Sequence, residues 1–447
     1  MTINTTQLQT DLQTRLNNLT GSESADSVLA LTAAVDNLTS NRFISVSNYA
    51  NLPNLAVTPL PSGSIVFIEQ FNVLMMSVGT QWRGIDGRIP IAPVTAWSWG
   101  SNLQGRLGDN STTSRSSPVT VVGGITTWSR VSAGEGHTLL LTTTGNIHSV
   151  GKNDFGQLGD NSTASRSSPV TVVGGITNWS QVSAGYRHSL AITLSGIAYA
   201  WGGNNSGQLG DNSTTSRSSP VTVVGGITTW SQVSASLYHS LGLTSTGIAY
   251  AWGNSYYGRT GLNSQTDRSS PNIISGGITN WKQVSAGSSQ TSMGVTNSGI
   301  TYTWGRNVSG QLGDNTTSNR SSPVTVVGGI ITWNQVSAGG VHCLGLTSAG
   351  ILYAWGNNSQ GRLGDNTTSN RSSPVTVVGG ITNWNIVVNG AGGNLGLTSG
   401  GILYSWGSGT TIGDNTTSNR SSPVTVAGGI TTWTSISVNQ HAIGLAT

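Results

Sequence analysis

Gln181-Val182-Ser183-Ala184-Gly185, His188-Ser189-Leu190-Ala191-Ile192-Thr193, Ile197-Ala198-Tyr199-Ala200-Trp201-Gly202 and Pro220-Val221-Thr222-Val223-Val224 stand in one stretch of the chain, residues 181–224. Each run is short, partly alternating and rich in β-branched or aromatic residues, and Gly, Ser and Asn separate them. That is the pattern of four strands joined by turns, the content of one propeller blade. The stretch is also a copy. Arg-Ser-Ser-Pro, which leads into its last run, occurs seven times, at 115–118, 166–169, 217–220, 268–271, 320–323, 371–374 and 420–423, with spacings of 51, 51, 51, 52, 51 and 49 residues. A fixed period of this length with no helical pattern inside it means repeated β units, one blade per copy.

The ends of the repeat region predict closure. It starts on a third strand, Thr95-Ala-Trp-Ser-Trp-Gly100, and finishes on a second strand, His441-Ala-Ile-Gly-Leu-Ala446. Two half-blades can complete one another, which removes the free sheet edges of an open ring. The expected fold class is mainly β, a seven-bladed β-propeller over residues 94–447 closed by pairing of N- and C-terminal strands. Ahead of it stand a helical segment, 1–40, and a small β-meander module, 41–90. Leu8, Leu12, Leu16 and Leu19 lie at helical spacing, and Val28, Leu31, Val35 and Leu38 form a second stripe after a Thr20-Gly21-Ser22 break. Stripes this narrow bury little alone, so attachment or homo-oligomerisation through them is expected. Strands are predicted at Phe43–Val46, 63–69, 73–78 and 81–85, the last three as a meander.

Charged residues are 8% of the chain and Gly is 62 of 447. Such a chain is turn-rich and uncharged, yet its regularly placed Trp, Val, Ile and Leu give it a core to bury. The net charge of +4 is dispersed through the repeats with no basic cluster, so nucleic acid is not an expected partner. There is no secretory leader pattern and no run of eighteen apolar residues, hence no expected membrane insertion. The lone Cys343 stands where other copies have Ser, and reads as a small buried side chain.

Ser183-Ala184-Gly185, His188 to Ile192, Trp201-Gly202, Asn204 and Gly207-Gln208-Leu209-Gly210 together resemble the hallmark of the regulator-of-chromosome-condensation repeat family, and the resemblance recurs across 94–447. It implies a seven-bladed propeller in which the repeated His makes a hydrogen bond within its blade. The founding member of that family is a nucleotide-exchange factor acting through an inserted β-wedge. The periods here hold no insertion, so exchange activity and chromatin binding are not implied. Leu52, Pro53, Gly63, Ile65 to Ile68, Leu74, Gly79, Thr80 and Trp82 resemble a module of bacteriophage tail-fibre and other virion proteins. That resemblance implies a virion structural protein assembled in the host cytoplasm and attached to other virion proteins by its N-terminal region.

His137, His188, His239, His342 and His441 recur in register, with Gln290 and Asn394 read as their replacements in two copies. Amides can replace a hydrogen-bonding His but not a metal ligand, so no metal site is expected. Asp109, Asp160, Asp211, Asp314, Asp365 and Asp414 are each followed six residues later by Arg. One carboxylate per loop is too few for calcium, and an Asx turn with Asp–Arg pairing across neighbouring loops is expected instead. The regular spacing of the two Trp series marks them as packing residues between blades. No nucleophile elbow, phosphate loop or paired carboxylates occur, so neither an enzyme nor a cofactor is expected.

Individuality then lies where copies differ: after the first strand (Glu135-Gly136, Tyr186-Arg187, Leu237-Tyr238, Ser288-Ser289, Gly340-Val341, Gly392-Gly393, Asn439-Gln440) and after Trp-Gly. The first and third connections of an up-and-down blade share one end of the strands. Lys152, Asp154, Phe155, Tyr186, Arg187, Tyr238, Tyr256 and Tyr257 are therefore expected on one face as a recognition surface. The leading expectation is a virion protein displaying the propeller as a fibre, decoration or host-binding module toward a host-surface glycan or protein. The alternatives are a cellular propeller scaffold for protein–protein interaction and a lectin-like polysaccharide-binding propeller.

Overall fold

In the computed structural model the chain divides into two units, Met1–Ala92 and Pro93–Thr447. The structure describes residues 94–288 and 290–447 and, in the first unit, the backbone of four strands, Phe43–Val46, Ile65–Ile68, Val73–Val78 and Gln81–Gly84. The last three form the antiparallel meander. Phe43–Val46 joins Ile65–Ile68 in parallel, so the sheet has four strands. A parallel neighbour requires a long return connection, which residues 47–64 are long enough to make. The two apolar stripes from Leu8 to Leu38 lie outside the described residues.

The second unit is seven four-stranded antiparallel sheets. Blade 2 shows the plan: strand a Trp179–Ala184, b His188–Thr193, c Ala198–Gly202 and d Arg217–Thr222. Blades 1, 3, 4, 5 and 6 repeat it over residues 128–171, 230–273, 281–325, 333–376 and 384–425. Blade 7 is assembled from both ends of the region: Trp433–Val438 and His441–Ala446 supply a and b, Thr95–Gly100 and Arg115–Thr120 supply c and d. Its central ladder runs from His441 opposite Gly100 to Ala446 opposite Thr95. The expected closure is what the chain adopts.

The core lies between blades. Leu139, Leu141 and Ile147 of blade 1 pack with Trp179, Val182, Ala191 and Trp201 of blade 2, and each later pair of blades repeats the arrangement. The c-strand tryptophans Trp99, Trp201, Trp252, Trp304, Trp355 and Trp406 are fully buried. Their indole N–H groups donate to carbonyls of the preceding blade, as Trp201 does to Gln157 at 2.9 Å. Both Trp series are packing residues.

Arg-Ser-Ser-Pro has a different place from the one read in the sequence. It is the first part of strand d itself, not a stem leading into it: Gly202 pairs Arg217 and Ala200 pairs Val221, with a register shift between them. Pro220 falls in that irregular interval, where the ladder asks for no N–H. The motif also faces the neighbouring blade. Asn161, held at φ 59°, donates its backbone N–H to Ser218 O at 2.9 Å, and the same bond occurs at all seven seams, ending with Asn415 to Ser116. The loop comes so close that a Cβ on Gly156 would stand 2.5 Å from Ser218 Cα, so that position requires glycine.

The Asp–Arg pairs also differ from expectation, being formed within each loop and not across loops, as in Arg217–Asp211 at 3.0 Å and Arg115–Asp109 at 2.8 Å. The Asx turn places the aspartate beside an arginine six residues on, at the start of the same blade's d strand. Burial alone would raise the Asp211 pKa, but hydrogen bonds from Ser213, Arg217 and Asn204 outweigh it and hold the carboxyl below its ordinary value. Asn204, fully buried, organises the loop: Nδ2 donates to Asp211 Oδ1, Ser213 O and Thr215 O, while Oδ1 accepts from Leu209 N at 2.9 Å. Asn204→Ala strands these partners and is expected to cost about 2–3 kcal/mol in denaturant-unfolding stability; an effect near zero would show that water replaces the amide.

The repeated histidines bond from blade to blade through Nε2, and His239 keeps an in-blade contact as well, its Nδ1 lying 2.9 Å from Ser236 Oγ. His188 Nε2 lies 3.0 Å from Ser240 Oγ, and Ser240 Oγ donates to Gln208 O. The hydroxyl hydrogen is thus committed, so the imidazole Nε2–H is the donor and the ring is neutral. His137–Ser189, His239–Ser292 and His441–Thr138 repeat this. Register corrects the two replacements. Ser292, paired with Ala286, corresponds to Ser189, paired with Ala184, so Thr291 and not Gln290 occupies the fourth His position. Asn394, paired with Asn389, occupies a Ser position, and Gly393 the His position before it. Asn394 accepts from His342 at 2.6 Å and donates to Arg362 O at 2.9 Å, doing what the serines do elsewhere.

Donor and acceptor change together round the ring. Where His becomes Thr291 the acceptor becomes Cys343, and where it becomes Gly393 the acceptor becomes Ala442. Removing both partners is nearly neutral, whereas removing one strands a buried polar atom. That pairing accounts for the single cysteine, whose thiol burial pushes up to about 12 and keeps unreactive.

Candidate recognition surface

The a–b and c–d connections sit at one end of the strands in every blade, and the loops with individual character gather there. Arg187, on the a–b turn of blade 2, lays its guanidinium 4.5 Å from the Phe155 ring centre of blade 1 and 4.8 Å from that of Tyr186. Tyr186 in turn meets Tyr238 of blade 3 edge to face at 6.1 Å. Four of the eight expected residues therefore form one continuous cation–aromatic cluster across three blades. Lys152 and Asp154 form an ion pair at 3.1 Å beside it.

Tyr256 and Tyr257 form a second group, their rings 4.1 Å apart, with Arg306 of blade 4 at 5.5 Å from Tyr257. Tyr256 is 55% exposed. Tyr257 holds φ 60°, ψ 10°, a left-handed conformation that costs a bulky side chain energy and is kept where surrounding structure or function demands it. Arg259 lies close enough to Tyr238, Tyr256 and Tyr257 to feel them electrostatically, which joins the two groups; burial, the larger influence, lowers its pKa to about 10.

Several residues of this face were not singled out in the sequence. Arg106, almost fully buried, donates to Leu103 O at 3.0 Å and Glu135 O at 2.6 Å, fixing the a–b turn of blade 1. Burial raises the Glu135 pKa, opposed by Arg106, Lys152 and Arg187. Gln104 shares the left-handed φ of Tyr257, at 63°. Arg106 aligns with Gln157 and Gln104 with Ser206 of other copies, and that departure from the repeat was the available signal. The variable pair of blade 6 moves by one residue, to Ala391-Gly392, because Gly393 opens strand b.

Along the ring axis the a strands present Ser132, Ser183, Ser234, Ser285, Ser337 and Ser437 around a channel of about 180 Å³. Their hydroxyls accept backbone N–H groups of the next blade, as Ser183 Oγ does from Ala235 at 2.9 Å, so the channel wall is a bonded seam and not a set of free nucleophiles. Among the described residues no group of three or more His, Cys, Asp or Glu is placed to hold a metal ion, and no helix is long and apolar enough to cross a membrane.

A closed seven-bladed ring of near-identical repeats, with chemically distinctive loops on one end, defines a repeat propeller whose individuality is in its surface loops. Residues 95–445 match the RCC1-like domain, and the chain belongs to that family. It is 32% identical over 332 residues to the ultraviolet-B receptor UVR8 of Arabidopsis thaliana, covering 70% of this chain and 72% of that protein. It is 35% identical over 212 residues to the probable E3 ubiquitin-protein ligase HERC4 of Mus musculus, a match spanning 46% of this chain and 19% of the ligase. Human WBSCR16 has the same fold, with a TM-score of 0.71 at 23% identity over 80% of this chain and 99% of that one. So has yeast RCC1 (Prp20), solved bound to Kap60, with a TM-score of 0.71 at 20% identity over 79% of this chain and 89% of that one.

Proposed function

We propose that the propeller is a non-enzymatic protein-interaction module whose a–b and c–d loop face meets a protein partner. The observation that carries this reading is the Phe155–Arg187–Tyr186–Tyr238 cluster, an array of Tyr and Arg built from three blades on the one face where the copies differ. Family membership supports it. The yeast relative binds Kap60 in one crystal structure and is described with binding properties to Gsp1p and histones in another, and engagement of polypeptides is what the present chain is inferred to share. The ligase activity of HERC4 is not inferred, since the match leaves four fifths of that protein uncovered.

The test is affinity capture with the full chain against the triple variant Tyr256→Ala, Tyr257→Ala, Arg187→Ala, with quantification of retained proteins. Partners held by the parent and lost by the variant are expected, while Lys282→Ala, at the far end of its strand, retains them. Binding unchanged in the triple variant would overturn the assignment of this face.

A second reading is carried by the residue pattern from Leu52 to Trp82, which resembles virion modules. In it the same propeller is displayed on a bacteriophage particle, joined to other virion proteins and oligomerised through residues 1–90, facing a host-surface glycan or protein. The family match covers residues 95–445 and so does not bear on that pattern, and the relatives favour the first reading. Capsid or tail genes beside this one would favour the second; their absence would leave the first alone.

A further inference from the structure

Two sets of cations stand out among the described residues. The arginine that opens strand d in six copies is neutralised by the aspartate of its own loop, as Arg217 is by Asp211. The other set is gathered by the fold. Arg106, Lys152, Arg187, Arg306 and Arg362 come from five separate copies yet all lie on a–b or c–d connections, hence on the recognition face. The sequence disperses them over 257 positions, counted from Arg106 to Arg362 inclusive.

They converge most closely where blades 7, 1 and 2 meet. A cavity of about 500 Å³ opens there, lined by Arg106, Lys152, Glu135, Tyr186, Gln104 and Leu103. Leu103 is 64% exposed at its rim. Arg106 is fixed by its carbonyl bonds, and Arg187 by the two rings it stacks on, with its Nε buried and without a hydrogen-bond partner. Both cations have therefore given up side-chain freedom before any ligand arrives, which is the condition for inexpensive binding of an anion. Lys152 completes the set, and its ion pair with the half-exposed Asp154 is of the weak surface kind.

We propose that this cavity receives an acidic side chain of a partner polypeptide, so that the face recognises a carboxylate-rich segment. Lys152 and Arg106, which line the cavity, meet the carboxylate, Arg187 adds its charge from its place against Tyr186, and Tyr186 and Leu103 cover the aliphatic stem. The proposal rests on the recognition-face reading and names the class of partner. Protein is favoured over nucleic acid because Glu135 and Asp154 interrupt the cations, whereas tracking a phosphate backbone needs an uninterrupted row of them.

The experiment is fluorescence anisotropy of a labelled oligoglutamate peptide titrated with the full chain at low and physiological salt. Salt-sensitive binding is expected, weakened about tenfold by Lys152→Glu. Asp154→Asn, which frees Lys152, is expected to tighten it, and Lys282→Glu at the opposite end to leave it unchanged. The signs differ between the two members of one ion pair, so a folding defect cannot imitate the pattern. Absence of binding by the folded parent, equal loss with Lys282→Glu, or tighter binding of single-stranded DNA of matching length would each overturn the proposal. Captured partners that depend on Tyr256 and Tyr257 while oligoglutamate fails to bind would leave the interaction face standing and remove only the acidic class.

Discussion

Acidification is expected to unfold the propeller well before its loop aspartates protonate. Burial lowers the imidazole pKa of His137 and His188 to about 3 and of His342 to about 4, and takes His239 and His441 well below the ordinary 6.5. The folded values lie below the unfolded one, so protons are taken up by the unfolded chain first. Stability is whole above about 6.5 and is lost as the pH falls from there toward 4 and 3. Each such histidine contributes a slope of up to about 1.4 kcal/mol per pH unit, and the five together roughly 7. Protonation would place a charge in the buried seam, where Nδ1 of His137, His188, His342 and His441 has no hydrogen-bond partner to receive it. The loop aspartates, held below their ordinary 3.8, give stability present above that value and lost beneath it, so their loss begins only at the acid end of the histidine window.

The measurement is the thermal unfolding midpoint across that range. A steep fall is expected below about pH 6, and His188→Asn, which puts a neutral amide donor in place of one ring, should flatten it by about one fifth. A midpoint that stays level from 6.5 to 4.5 would show that the rings are protonated in the fold.

Removing Trp433–Thr447 should have the other large effect. Blade 7 would lose strands a and b, leaving Thr95–Gly100 as an open edge with its six ladder partners gone and Trp99 uncovered. The lost contacts also belong to both neighbouring seams: Ile443 and Leu445 pack with Trp128 and Leu140 of blade 1, and Ile436 and Val438 with Leu395 and Leu397 of blade 6. A loss of more than about 5 kcal/mol follows from burial of this kind, enough to prevent a stable monomer. Size-exclusion chromatography is expected to show aggregate or domain-swapped species formed through the free edge, while deletion of Thr447 alone changes nothing. A monomeric, cooperatively unfolding truncation would mean that the ring does not need its closure.

Blade number, strand content and the shared seventh blade were legible because they depend on patterns local to the chain: alternation, glycine turns and a repeat cut at both ends. The face that carries the variable loops was legible in part for the same reason, since strand parity alone assigns the a–b and c–d loops to one end. Misplaced details were those settled by pairing register. A one-residue insertion before Thr291 shifts that copy, and glycines before Asn394 leave no side chain to mark the His position, so only the ladder shows which residue occupies which site. Arg-Ser-Ser-Pro was placed ahead of strand d because proline ordinarily opens a strand, whereas a register shift in the ladder admits it inside.

The sequence by itself thus determined the repeat, the ring and the positions free to vary, since propeller architecture follows from short-range periodicity copied seven times. Only the tertiary structure decided what the copies do to one another. It turned the histidines from in-blade bonds into links between blades and made Cys343 the counterpart of Thr291. It also brought Lys152, Arg187 and Arg106 from different copies around Glu135. The physical reason is closure. Residues about fifty positions apart become neighbours only when each sheet packs on the next, and the charge of a face is the sum over blades that no single repeat contains.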